Sequence, residues 1–267
     1  VKNLYARYST YSFRAGILAS IAVPLIAFLT YIKFFSDLQP LINVLLVGFI
    51  SFGSSTYFKK ASRKLSETMT NTETHDFSVN EFNFQTDISF HSRLYLVSHE
   101  GEQLFVVEPT KQKPISRYLT VFSLVSSGLI IPITYDVMSL NRSKVFSFTM
   151  KNEWKQFRVT VTNEQDVIIG EYIQPWRTST FKNKGILYLG NLKLPRKIES
   201  KNMTGDIDIH DEDSLLTASY RFGIFPYALH PAFQAISTNT HIKLGPHIST
   251  DERKVYLAIF YFWLYGR

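Results

Sequence analysis

The stretch Ser249-Thr-Asp-Glu252, followed by Val255-Tyr-Leu-Ala-Ile-Phe-Tyr-Phe-Trp-Leu-Tyr265, decides how the chain folds. Ser249 and Glu252 have the spacing of a capping box, and Asp251 and Glu252 place negative charge where a helix N-terminus favours it. The spacing predicts a helix over 251–265. From Val255 onward that helix is apolar on every side. It is too short to cross about 30 Å of hydrocarbon. A helix that is apolar all round must be buried all round. A closed antiparallel β-barrel with the helix along its axis satisfies both conditions.

The preceding sequence supplies the strands. Leu94-Tyr-Leu-Val-Ser98 and Gln103-Leu-Phe-Val-Val-Glu108 flank the polar turn His99-Glu-Gly-Glu102, and read as a hairpin. The unit recurs with Ile133–Met138 and Val145–Met150 around Asn141-Arg-Ser143, and again with Gln156–Thr162 and Val167–Ile173 around Asn163–Asp166. Weaker strands are predicted at Gly185–Leu189, Ile207–Ile209, Ser214–Phe222 and His241–Leu244. Many short strands joined by polar turns favour a barrel or sandwich. Strand, polar turn and strand repeated, then closed by one very hydrophobic helix, resemble the tubby-like C-terminal superfamily, which includes the phospholipid scramblases and the LURP-one-related proteins. The resemblance covers roughly residues 90–267 and rests on Phe157-Arg-Val-Thr-Val161, Val167-Ile-Ile-Gly-Glu-Tyr172 and the terminal helix. It implies a barrel around a central helix and contact with membrane lipid. Glycine is missing from the turns at Asn141 and Asn163, and no stretch matches the family's phosphoinositide-contact residues. No binding residue is therefore carried over from it.

The N-terminal part is of another kind. Ala15–Phe35 and Leu38–Phe58 are apolar runs of membrane-spanning length, with Lys33 the one charge in the first and none in the second. The first exceeds the usual hydrophobic core of a secretory signal, and no small-x-small cleavage site follows it. The expected fold class is thus a transmembrane α-hairpin plus a mainly-β domain. Residues 1–64 form the anchor, with helices at 15–35 and 38–58, then a polar linker at 65–80 and the barrel domain at 81–267. Lys2, Arg7 and Arg14 precede the first helix, and Lys59, Lys60, Arg63 and Lys64 follow the second. Basic flanks stay on the cytoplasmic side, so the expectation is a multi-pass cell-membrane protein with both termini cytoplasmic. Pro24 is expected to bend the first helix. Gly48, Ser51, Gly53, Ser54 and Ser55 give the second a small-residue face for the first helix or for a second copy. Tyr118–Tyr135 is nearly as apolar. Its centre, Ser123 to Pro132, reads as a turn between two strand-length runs or an interfacial loop rather than a third span.

The chain carries 29 Lys and Arg against 22 Asp and Glu, a formal charge of +7, and has no cysteine. Absence of cysteine excludes disulfides, thiolate metal sites and a cysteine nucleophile. The seven histidines, His75, His91, His99, His210, His230, His241 and His247, are scattered, and no metalloprotease, phosphate-loop or nucleophile-elbow motif occurs. No enzyme activity and no cofactor are expected. Gly205-Asp-Ile-Asp-Ile-His-Asp-Glu-Asp213 is the densest acidic run. Asp206, Asp208, Asp211 and Asp213 are weak candidates for a hard cation, but their alternation equally suits a strand with one wet face leading into a turn. Trp176, Arg177, Lys182, Lys184, Lys193, Arg196, Lys197 and Lys201 form a basic stretch suited to an anionic lipid surface. Nucleic acid would use the same charges, but no recognised module accompanies them. Three functions follow as expectations: a tethered domain binding anionic membrane lipid or a membrane partner, a structural subunit of a membrane complex or homo-oligomer, and scramblase-like lipid transfer.

Overall fold

The computed structural model describes residues 2–35, 37–65, 79–87, 93–98, 102–112, 118–120, 123–176, 183–190, 195–200, 206–211, 213–223 and 239–265. The chain divides into two compact units, 1–71 and 72–267.

The first unit is a helical hairpin of α1 (Lys2–Tyr31) and α2 (Gln39–Leu65). Both helices are long and apolar enough to cross a membrane. They pair through positions that recur every three or four residues. Tyr5, Ser9, Gly16 and Ala19 of α1 are buried, as are Gly48, Ser55 and Ser62 of α2. Steps of seven, as in 48, 55 and 62, describe the seam of a left-handed pair. The small-residue face of α2 is therefore spent largely on α1, with Gly53 left outside. Gly16 is needed there, because a Cβ would lie 2.9 Å from the Phe52 ring. At the seam the Ser55 hydroxyl donates to the Ser9 carbonyl at 2.9 Å, and the two hydroxyls lie 3.3 Å apart. Phe58 packs on Tyr5 and Tyr8 at 5.9 and 5.2 Å. Outward, Leu18, Ile21, Phe28, Leu46 and Phe49 are exposed, an apolar exterior of the kind that marks a lipid- or protein-facing surface.

The helix ends differ from expectation. α1 stops at Tyr31, not Phe35, because Lys33 adopts φ 60° and caps it. The Lys33 N–H donates to Thr30 O and the Phe34 N–H to Leu29 O, the two bonds of a Schellman motif. At the other end both helices run well past the apolar windows into the basic flanks, since Lys and Arg are good helix formers. α1 continues through Pro24. Most of the polar linker, 66–78, lies outside the described residues.

The second unit is one antiparallel sheet of β1 (Glu81–Thr86), β2 (Leu94–Ser98), β3 (Gln103–Pro109), β4 (Ile133–Ser139), β5 (Lys144–Asn152), β6 (Gln156–Thr162), β7 (Ile168–Pro175), β8 (Lys184–Leu189), β9 (Arg196–Glu199), β10 (Ile207–His210), β11 (Leu216–Gly223) and β12 (Asn239–Leu244). It curls around the terminal helix α4 (Thr250–Tyr265); a short turn of helix, α3 (Ser123–Ser126), lies between β3 and β4. Neighbours are sequential except that β12 pairs with β1, which brings the two ends of the domain together. Alternate residues point inward, as with Tyr135 and Val137, or Phe146 and Phe148, and meet residues 255–263 of α4, which are buried on all faces. β7 comes close enough to the helix that a Cβ on Gly170 would lie 2.6 Å from Val255.

The capping box forms as the spacing predicts. The Ser249 N–H donates to Glu252 Oε2 at 3.1 Å and the Glu252 N–H to Ser249 Oγ at 3.3 Å. Such a cap contributes about 1 kcal/mol. Arg253, one residue on, is buried and holds the point where the chain enters the barrel. Its guanidinium donates to Val79 O (3.2 Å), Asn80 Oδ1 (2.9 Å) and Gly245 O (3.0 Å).

The barrel is not fully closed. β9 and β10 are the two ends of the strand order and are not hydrogen-bonded to each other. A groove of about 250 Å³ runs between them. Both edges are four residues long and carry outward charge (Lys197 and Glu199 on one, Asp208 on the other), the features that discourage pairing with a foreign strand.

Tyr118–Tyr135 forms no long helix and no strand pair among the described residues. Only Ile133 onward is strand, and α3 occupies the expected turn-like centre. Gly128, at φ 73°, packs where a Cβ would meet Met150 O at 2.6 Å, and Tyr135 donates its hydroxyl to Ser126 O. The segment thereby folds against the inner wall. β1 and β9 are strands without a matching sequence expectation: β9 offers one apolar residue, Ile198, in four.

Candidate functional site

Turns without glycine are the starting point. Asn163 Oδ1 accepts the Gln165 and Val167 N–H groups, which lets Asp166 take φ 61°. Asp211 Oδ1 does the same for Asp213 and Leu215, with Ser214 at φ 63°. Side-chain acceptors thus supply the Asx turns that glycine would otherwise ease. This accounts for most of the acidic run. Asp211 also faces His247 Nε2 at 3.2 Å, Asp208 forms a two-bond pair with Arg221 at 2.7 and 2.8 Å, and Asp206 accepts the Phe222 N–H. Asp213 is exposed in the turn. Among the described residues no three metal-capable side chains converge.

The basic stretch is split by the fold. Arg177, Lys182, Lys193 and Lys201 lie outside the described residues. Trp176 and Lys184 sit at one end of the barrel, where β7 ends and β8 begins. Lys184 pairs with Glu199 at 3.3 Å, and exposed Lys197 faces the same carboxylate at 3.8 Å. Arg196 turns toward the helix, donating to the Tyr256 hydroxyl and lying 4.0 Å from Glu252. Burial pushes the Tyr256 phenol up to about 12, against the favourable Arg196. In the hairpin, Arg7, Lys59, Lys60 and Arg63 lie toward the end opposite the connecting turn, the backbones of Lys2 and Lys64 share that end, and Arg14 stands near the middle of α1.

The residue that sequence reading passed over is Trp154. It occupies the β5–β6 turn at φ 55°, a left-handed conformation that costs a non-glycine residue about 1 kcal/mol, and its side chain is 88% exposed. A run of three residues between two strands would have pointed to a turn, but not to an aromatic ring left in solvent. Glu153 builds that turn: its carboxylate accepts from Gln156 (3.1 Å), Arg158 (3.0 Å) and Lys151 (3.2 Å). Arg158 in turn pairs with Glu171 at 2.7 Å.

Trp176 belongs to the same rim. Its backbone N–H donates to Lys155 O at 3.0 Å, and its ring stacks on Phe157 at 5.4 Å with 41% of the residue exposed. Asn152 ties in the 128–130 segment by donating to Gly128 O and Leu129 O, leaving Ile130 exposed beside it. Lys155 is exposed and has no ion pair among the described residues. One rim thus presents two tryptophans, an isoleucine and lysines. The opposite rim is where the chain enters at Val79–Asn80.

Hydrogen bonds from Gln156 and Arg158 hold the Glu153 carboxyl down at about 2, from an ordinary 4.5. The ionised form is the one that locks the turn. Its contribution is fully present above about pH 4.5 and is lost as the pH falls through about 2. Carboxyl ¹³C titration is expected to show Glu153 ionised at pH 3.5, and a midpoint near 4.5 would mean that the lock does not form.

The geometry defines a class of protein: two apolar helices of membrane-spanning length joined to an antiparallel β-barrel that encloses its own C-terminal helix. No family model, no curated protein and no solved structure matches the chain.

Proposed function

We propose that this chain is a membrane-anchored, non-enzymatic module. Its hairpin spans the bilayer with both ends on the cytoplasmic side, and its barrel contacts anionic membrane lipid through the tryptophan rim. The observation that carries this reading is Trp154. A bulky ring held in solvent, on a backbone that glycine would adopt more cheaply, serves no packing purpose within the barrel. Tryptophan favours the membrane–water interface, where its apolar ring and N–H are both satisfied. Adjacent Lys155 suits an anionic surface, as does the chain's charge of +7. A β-barrel threaded by an apolar helix also supports the tubby-like reading, and with it the theme of lipid contact. The rim lies at the end of the barrel away from Val79, but the 14 residue steps from Leu65 to Val79 (79 − 65) can span up to about 48 Å. That exceeds the roughly 30 Å of the nine-residue β5.

All three tryptophans lie in the barrel and none in the hairpin, so tryptophan emission reports on the barrel alone. With the full chain in vesicles of brominated anionic phospholipid, emission is expected to be quenched. Trp154→Gly should remove most of the quenching while leaving the fold intact or about 1 kcal/mol more stable. High salt should weaken the effect. No quenching above that in neutral lipid would sink the lipid reading. It would favour the second one, an interaction subunit, which the opposite rim supports: Leu140, Val167, Ile168 and Leu215 stand exposed at three hairpin tips there.

A further inference from the structure

The hairpin holds a groove of about 390 Å³ between its helices at the basic end. Ser9 and Thr10 of α1 and Ser55, Lys59, Ser62 and Arg63 of α2 line it. Lys59 and Arg63 are four residues apart, so they stand on one helix face one turn from each other. Asp37, in the connecting turn, is the one acidic residue between positions 1 and 66. Neither cation has an ion pair among the described residues. The hydroxyls beneath them are turned into the groove's wall. Ser55 donates to the Ser9 carbonyl and Thr10 to Ala6 O, so these hydroxyl protons are already committed and the two cations are what an anion meets. Two uncompensated cations one helical turn apart at a groove describe an anion site, and a phosphate is the anion that takes both a guanidinium and an ammonium well.

Its depth says which phosphate. Lys59 is the first charge after the apolar run that ends at Phe58, so the groove sits at the boundary between apolar and charged sequence. Phe13 closes its inner side, and beyond it lies the exposed apolar surface of Ile17 and Leu18. A phospholipid in this groove has its phosphodiester against Lys59 and Arg63 and its acyl chains along that surface. We propose that the groove binds the headgroup phosphate of one anionic phospholipid. The inference rests on the reading that the two helices span the bilayer, and is independent of the barrel's lipid contact.

The test uses the full chain purified in detergent. Its bound-lipid adducts are counted by native mass spectrometry after addition of phosphatidylglycerol or phosphatidylcholine. Phosphatidylglycerol is expected to be retained about thirtyfold over phosphatidylcholine, equivalent to about 2 kcal/mol for two cations at an anionic group. Lys59→Gln with Arg63→Gln should erase that preference, whereas Lys60→Gln, exposed on the neighbouring face and outside the groove, should keep it. Equal retention of the two lipids would overturn the site. So would an equal loss in Lys60→Gln, which would mean a diffuse charge effect. Displacement of the lipid by millimolar inorganic phosphate would overturn the choice of a lipid phosphate. Release of the chain from membranes by alkaline carbonate would instead remove the spanning reading itself, without bearing on the barrel rim.

Discussion

Trp263→Ala is expected to cost about 3–5 kcal/mol of barrel stability, a large share of what holds an ordinary domain folded. The ring is fully buried near the C-terminal end of α4. Tyr172 and Tyr220 meet it edge-on at 6.0 Å each, and Phe260 lies 5.6 Å away. Its indole N–H donates to Gln174 Oε1 at 3.1 Å, the same oxygen that accepts the Tyr172 hydroxyl at 2.9 Å. Removing the ring opens a cavity lined by Tyr172 and Tyr220, which are fixed in strands, and by Phe260 of α4 itself, so it cannot readily collapse. Trp263→Phe keeps most of the volume and should lose clearly less. Urea unfolding of the full chain in detergent, followed by far-UV circular dichroism in the range dominated by the β-signal, measures both. A midpoint for Trp263→Ala equal to wild type would mean that α4 does not occupy the barrel axis.

Arg253→Met should be nearly as damaging, about 3 kcal/mol or more, by a different mechanism. Methionine keeps much of the stem's volume but none of the donors. The carbonyls of Val79 and Gly245 and the Asn80 side chain then lose a charged partner at a buried position, each at about 1–3 kcal/mol. The damage should be local first. Asn80 O accepts the Leu244 N–H, so the β1–β12 junction depends on the same cluster. Amide exchange is expected to speed up at Phe82 and Leu244 before it does at β5 and β6. Uniform acceleration across the sheet would show that Arg253 supports the helix as a whole and not the chain's entry point.

Much of the architecture was legible because it depends on local patterns. The β2–β3, β4–β5 and β6–β7 hairpins lie within a residue or two of where alternation put them. The Ser249 box and the apolar run after it are read from spacing alone. β9 was not legible, because an outer strand with one inward residue carries almost no periodic signal. Nor was α1's stop at Tyr31, which depends on Lys33 entering the left-handed region.

The candidate site was less legible. The basic stretch from Trp176 to Lys201 is continuous in sequence, but adjacent antiparallel strands send successive segments to opposite ends of a barrel. Lys184 and Arg196 are therefore far less alike than their spacing suggests, one on the rim and the other against α4. Trp154 and Trp176, 22 positions apart (176 − 154), come to the same rim because Gln156 pairs with Pro175. The acidic run offered only weak cation candidates, and the strand leading into a turn that its alternation suited is what forms, with Asp208 taken up by Arg221 and Asp211 by the turn.

Two apolar helices, a set of hairpins and a terminal helix that has to be enclosed all follow from local patterns. Hydrophobic period and capping chemistry act within a few residues, so they can be read along the chain. That the sheet closes through β1 and β12, that a seam stays open between β9 and β10, and which charges and rings share a rim emerge only on folding. Those outcomes depend on pairing between strands far apart in the chain, as Glu81 and Lys243 are at 162 positions (243 − 81), and no local property of either strand names its partner.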